Sequence, residues 1–344
     1  MKKLLNTLYV TSEDVYLSLD GENIVIHQEG KIIKKFPLHT WSSIISFSYK
    51  GASPALMSAC VKRDIMLSFC TPRGKFLASV SGETRGNVLL RREQYRIADD
   101  DEKSYKIASN MIIGKLFNSR WSVERTKRDH KLRIDVEKLA DLSQKINNSI
   151  KSIDKSKYEL DYLRGIEGNA ATYYFQAFDD MILNNKEDFF FKTRNRRPPQ
   201  DNVNAMLSFA YALLKNDCAS ALESVGLDSY VGFLHQDRPG RQSLALDLME
   251  ELRPCFADRF VLTLINNRIL NKSDFEKQDS GAVYLNIDGR TKFLRQWQEK
   301  KQETIKHPFL EEKINWGLVP YAQAMLLARY IRGDLDEYPP FLWK

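Results

Sequence analysis

The chain has 344 residues, of which 43% are hydrophobic and 28% charged, an ordinary globular composition with room for about two domains. Its formal net charge of +7 favours an anionic partner such as nucleic acid. No apolar stretch approaches a membrane span, and no membrane association is expected. The opening Met1-Lys2-Lys3-Leu4-Leu5 is interrupted by Asn6, Thr7 and Ser12-Glu13-Asp14, so it does not read as an export signal. The four cysteines, Cys60, Cys70, Cys218 and Cys255, form no CxxC pair and read as reduced core thiols of a cytoplasmic protein.

The first 80 or so residues predict β structure. Thr7-Leu8-Tyr9-Val10 reads as a strand, and residues 15–19 alternate before an Asp20-Gly21 turn into residues 23–27, a hairpin signal. Gly30 precedes a strand over 31–36. Further strands are expected at 44–48, 65–69 and 75–80, interrupted by one helix over 54–62 with Ser53 as N-cap and Pro54 at the first helical position. After Gly82 the period changes to 3.6. Helices are expected over 86–98, 105–115, 119–130, 136–150, 158–183 and 202–215, the last capped by Asp201 or Asn202. Residues 244–267 predict a helix bent near Pro254. An inserted hairpin is expected within 283–294, turning at Asp288-Gly289. Helices return over 294–306 and 316–332, and the tail 333–340 is expected to be mobile. The expected fold is α+β. A small, mostly antiparallel β domain (1–82) precedes a larger helical catalytic domain (83–344) with one hairpin, the boundary lying at 81–85.

Three acid–base residues stand out. Glu167 lies in Leu163-Arg164-Gly165-Ile166-Glu167-Gly168-Asn169-Ala170, with two glycines in an otherwise helical pattern. Such glycines mark close approach of a ligand or backbone, or plain helix packing. His235 lies in Gly232-Phe233-Leu234-His235-Gln236-Asp237-Arg238-Pro239-Gly240-Arg241, a loop entering the next helix. Glu250 lies on that helix, three residues after Asp247 and so on the same face. The plainer reading of Asp247, Glu250 and Glu251 is a solvated acidic face. The sharper one is a divalent-cation site, since carboxylates with an imidazole suit Mn²⁺ or Mg²⁺. Arginine-rich segments flank these residues. Arg196 and Arg197 precede Pro198-Pro199, and Arg238 and Arg241 follow His235; arginine forks suit phosphate oxygens. No Walker A sequence, GxGxxG, HExxH or GxSxG motif is present.

Taken together, the segments 163–170, 196–209, 232–241 and 244–254, in this order and behind a β-rich start, resemble the CRISPR adaptation integrase family. The opening residues look like the type I form, with subtype I-C as one candidate. The resemblance implies that Glu167, His235 and Glu250 are catalytic metal ligands for Mg²⁺ or Mn²⁺, with Asp247 in support. It implies a homodimer joined through the β domains and a heterohexamer with a small ferredoxin-like adaptation partner. It also implies an activity: joining the 3′ hydroxyls of a short duplex, the prespacer, to a CRISPR repeat by metal-dependent transesterification. Two rivals stay open: a metal nuclease acting on branched DNA, and a non-catalytic scaffold for DNA ends. Arg196, Arg197, Arg238 and Arg241 are candidate DNA phosphate contacts.

Overall fold

The computed structural model describes residues 7–41, 43–63, 65–71, 76–80, 82, 87–154 and 158–344. The segment 81–85, the expected domain boundary, lies outside them apart from Gly82, as do Lys75 and Gly86 at the predicted starts of a strand and a helix.

Alternating apolar residues give β2 (Val15–Asp20), β3 (Asn23–Gln28) and β4 (Lys31–Pro37), an antiparallel meander. The Asp20-Gly21 turn joins its first pair; Gly21 takes φ +57°, a conformation that glycine adopts without strain. The second sheet runs β1 (Thr7–Val10), β5 (Ser43–Ser46), β6 (Met66–Cys70) and β7 (Phe76–Val80). Its β1–β5 and β5–β6 pairs are parallel, while β6–β7 is antiparallel. A parallel pair needs a crossover, and α1 (Pro54–Lys62) supplies it between β5 and β6. Ser53 caps that helix, accepting from Leu56 N at 3.2 Å. Leu17, Ile24, Ile44, Leu56 and Leu67 form the small core between these elements.

The helical part comprises α2 (Val88–Ala98), α3 (Asp101–Asp129), α4 (Val136–Lys151), α5 (Leu160–Phe178), α6 (Asn202–Ser224), α7 (Ser243–Glu250), α8 (Arg259–Asn266), α9 (Ile287–Gln302) and α10 (Val319–Ile331). Asp201 caps α6, accepting from Asn204 N at 2.7 Å. Ile45, Phe47 and Cys70 from the β region join the large helical core, where Phe47 meets Phe209 with ring centroids 6.3 Å apart.

Five expectations are corrected. The helices expected at 105–115 and 119–130 are one 29-residue helix, α3. Gly114, which suggested a break, instead lets α3 approach Glu251; a Cβ there would meet Glu251 Cγ at 3.1 Å. The helix expected over 244–267 is α7, a π-helical turn at Arg253–Asp258 and α8. Pro254 has no N–H to continue the regular ladder. The inserted hairpin lies earlier than expected, as β8 (Phe275–Lys277) and β9 (Val283–Leu285). Asp288 and Gly289 are not its turn: Asn286 caps α9 there through Gly289 N at 2.9 Å. A second hairpin, β10 (Thr304–Lys306) with β11 (Lys313–Asn315), replaces the end of the helix expected to reach 306. The tail is not mobile. Tyr338 and Phe341 are buried, and Asn110 Nδ2 and Asn118 Nδ2 donate to their carbonyls at 2.9 and 2.8 Å. Among the described residues, no helix is long and apolar enough to cross a membrane.

Candidate active site

Asp247, Glu250 and Glu251 are all buried, so the solvated acidic face is excluded. A buried carboxylate requires partners, and each of the three finds different ones.

Asp247 serves the loop ahead of α7. Its Oδ2 accepts from Phe233 N at 2.6 Å and Leu234 N at 2.9 Å, while Oδ1 accepts from His235 N at 3.0 Å. Oδ1 also lies 2.5 Å from His235 Nδ1. Four contacts thus fix both the loop and the imidazole, and they leave Nε2 as the other ring nitrogen. Gly232 permits this packing, because a Cβ there would meet Asp247 Oδ2 and Ser243 Cβ at 2.8 Å. From α5, Arg164 holds the same loop, donating through Nε and Nη2 to Leu234 O at 3.1 and 2.6 Å.

Glu250, at the end of α7, faces two cations. Arg253 Nη1 lies 3.0 Å from its Oε1, and Lys115 Nζ lies 2.6 Å from its Oε2. Lys115 comes from α3 and also pairs with Glu167 Oε1 of α5. The buried ammonium therefore sits between the two carboxylates. Burial alone would raise the Glu250 carboxyl, but Arg253 and Lys115 outweigh it and hold the group well below the ordinary glutamate range. Burial would likewise lower the Lys115 ammonium; Glu250 and Glu167 outweigh it and raise it. Behind Arg253 the ring of Tyr211 lies 4.9 Å from the guanidinium carbon, and the Tyr211 hydroxyl donates to the buried Asp258 at 2.6 Å. Burial pushes the Asp258 carboxyl up to about 6.

Gly165 and Gly168 flank Glu167, and a Cβ added at either would meet nothing within 4 Å. They are not a helix-packing stripe, and they keep the approach to Glu167 low. Arg196 and Arg197 are exposed and line a cleft of about 660 Å³ with Pro198, Phe209, Tyr284 and the buried Arg290. Arg238 is exposed and Arg241 half-buried on the loop after His235.

The donor chemistry of the cluster suits a divalent cation. Two carboxylates share one cation already, and Glu250 Oε2 is buried with no hydrogen bond beyond its ion-pair contact with Lys115. As they stand, no three of the described His, Cys, Asp and Glu residues are gathered closely enough to hold an ion. Lys115 holds the point between Glu167 and Glu250 that such an ion would contest.

The family model for CRISPR associated protein Cas1 matches residues 8–299. The chain belongs to the Cas1 family. It is 48% identical to a CRISPR-associated endonuclease Cas1 from Rhodospirillum rubrum, with all of both chains covered. It is 44% identical to one from Chlorobaculum tepidum, again over the whole of both. Among solved structures, a casposase bound to its integration product matches with a TM-score of 0.82 at 23% identity, covering 98% of this chain and 93% of that one. A CAS1 protein from Thermotoga maritima matches with a TM-score of 0.80 at 22% identity, covering 95% and 97%. At such identities these structures show the shared fold: a β region followed by a helical catalytic part.

Three residues of this Cas1 centre carry no mark in the sequence pattern: Lys115, Arg253 and Arg164. Arg253 is one helical turn after Glu250, and Arg164 lies within the Glu167 segment, so both were within reach. Lys115 is 52 residues from Glu167 on a helix with no motif of its own.

Proposed function

We propose that this Cas1 enzyme joins the 3′ hydroxyls of short duplex DNA to the ends of a CRISPR repeat, with Mg²⁺ or Mn²⁺ bound by Glu167, Glu250 and His235. The chain is a CRISPR-associated endonuclease and integrase by its family. The observation that carries the site reading is the convergence of Glu167 and Glu250 on one buried cation, with His235 held beside them by Asp247.

The cation, when bound, supplies positive charge at the scissile phosphate and lowers the pKa of a coordinated hydroxyl. The remaining work falls to this chain's own residues. Asp247 orients His235 and leaves Nε2 to ligate metal or carry a proton. Arg253 keeps Glu250 ionised. Arg196, Arg197, Arg238 and Arg241 offer guanidinium forks to DNA phosphates, and the cleft beside Arg196 and Arg197 gives a strand room to lie against Phe209 and Tyr284. Division into a β domain that forms the homodimer and a catalytic domain, and assembly with a small ferredoxin-like partner into a heterohexamer, belong to the same proposal. A solved Cas6-RT-Cas1–Cas2 complex contains a chain of this fold, matched with a TM-score of 0.77.

The test is strand transfer of a labelled duplex into a plasmid carrying the repeat, with Mg²⁺ or Mn²⁺ and the adaptation partner present. Labelled strands joined to the repeat ends are expected from the wild type and not from Glu167→Ala or His235→Ala. Wild-type joining by either variant overturns the site assignment. Hydrolysis uses the same site with water in place of the 3′ hydroxyl, so products that are cut but never joined would mark a nuclease instead.

A further inference from the structure

Counting charges at the Cas1 centre exposes a difficulty for metal binding. Glu167 and Glu250 contribute two negative charges, and Lys115 and Arg253 contribute two positive ones, so the cluster is neutral as it stands. The other nearby carboxylates are already engaged: Asp247 by three backbone N–H groups and His235, Asp258 by the Tyr211 hydroxyl. A dication entering this buried cluster would meet two resident cations and gain no unused negative charge.

We propose that Lys115 is a tethered counter-ion that competes with the divalent cation for Glu167 and Glu250, so that the centre takes up metal together with a DNA phosphate rather than ahead of it. The inference rests on the metal reading above. Two features equip Lys115 for this exchange. Its backbone is anchored: Gly114 packs against Glu251, and Asn118, three residues further along α3, donates to Glu251 O at 2.7 Å and Phe341 O at 2.8 Å. Its ammonium, by contrast, rides on a four-carbon stem with several rotatable bonds. The head can therefore leave the carboxylates without disturbing the helix. An arriving phosphate supplies the negative charge that the displaced ammonium and the incoming dication both need. Lys115 is on this view a positioning residue that sets the order of assembly.

The experiment measures Mn²⁺ affinity, by the loss of the free-ion electron paramagnetic resonance signal, for the full chain with and without short duplex DNA. Wild type is expected to bind Mn²⁺ at least tenfold more tightly when DNA is present. Lys115→Met is expected to bind Mn²⁺ at least tenfold more tightly than wild type in the absence of DNA, with most of the DNA enhancement gone. Its metal-free form should melt at a lower temperature and recover with Mn²⁺, because two buried carboxylates have lost a counter-ion. Lys115→Arg retains a cation and should keep the wild-type coupling. A folded Lys115→Met with unchanged or weaker Mn²⁺ affinity overturns the proposal. If that variant does not fold, the lysine ammonium resonances of ¹⁵N-lysine wild type decide. The Lys115 signal, identified from Lys115→Arg, must shift when Mg²⁺ and DNA are added together, and an unmoved signal overturns the proposal. Glu167→Gln separates the two ideas: wild-type Mn²⁺ binding by this variant sinks the metal reading itself, whatever Lys115→Met does.

Discussion

Glu250 and Glu251 are neighbours in sequence, both buried, and they live in opposite chemical worlds. Glu250 faces Lys115 and Arg253, and its carboxyl is held well below the ordinary range. Glu251 faces hydrogen-bond partners instead of cations. Its oxygens accept from Phe341 N at 2.5 Å and Gln323 Nε2 at 3.1 Å and meet the Tyr338 hydroxyl at 2.5 Å. Burial there pushes the carboxyl up to about 8. One residue's step around a helix turns the side chain by about 100°, enough to move it from the reaction centre to the packing face against the tail. Ionisation is thus assigned by surroundings: the charged glutamate is kept for chemistry, and the neutral one ties the tail down.

Swapping each carboxylate for its amide breaks this contrast most directly. Glu250→Gln should lower strand joining by about 10³-fold or more, since it removes a charge from the metal cluster. Glu251→Gln should leave joining nearly intact, because an amide reproduces the neutral carboxylic acid's hydrogen bonds. Equal losses in the two variants would erase the distinction. Next in size is Asp247→Asn, which keeps the shape but weakens acceptance from three N–H groups and His235; a drop in joining of about 10–100-fold is expected, with the folded fraction unchanged by circular dichroism. Gly232→Ala should give a similar loss by a different cause, since its methyl group displaces the loop from Asp247.

A smaller effect is expected in stability against pH. The folded-state pKa of Glu251 is raised from 4.5, so the fold favours the protonated form. That contribution is fully present below about pH 4.5 and is lost as pH rises toward 8, at about 1.4 kcal/mol per pH unit for one proton. Urea melts of Glu251→Gln over this window should show a flatter slope than wild type, and identical slopes would refute the assignment. Smallest of all, Arg196→Ala and Arg197→Ala should each weaken DNA binding modestly and reduce its salt dependence by about one unit in log–log slope.

The fold was legible where local chemistry is strong. The Asp20-Gly21 hairpin and the Ser53-Pro54 helix start carry their own signals, and Glu167, His235 and Glu250 stood out through the glycines and arginines around them. What stayed hidden depends on contacts distant in sequence. Gly114 looks like a helix breaker until Glu251, 137 residues later, is seen packed against it. The tail looks mobile because Tyr338-Pro339-Pro340 has no period, yet Asn110 and Asn118 of α3 bind its carbonyls. The carboxylates advertise themselves by type, whereas Lys115 is one lysine among many until the fold places it between them.

The uninterrupted α3 has a consequence for tolerance to change. It carries Asn110, Gly114, Lys115 and Asn118 within about two turns, serving the tail, Glu251, the carboxylate pair and the tail again. A rigid helix transmits phase: inserting a single residue after Gly114 would rotate everything beyond it by about 100°. Lys115 and Asn118 would then miss their partners together, though every residue type was retained. Point substitutions in this stretch should be forgiven more readily than any insertion or deletion, whose length must be a near-whole number of turns to be silent.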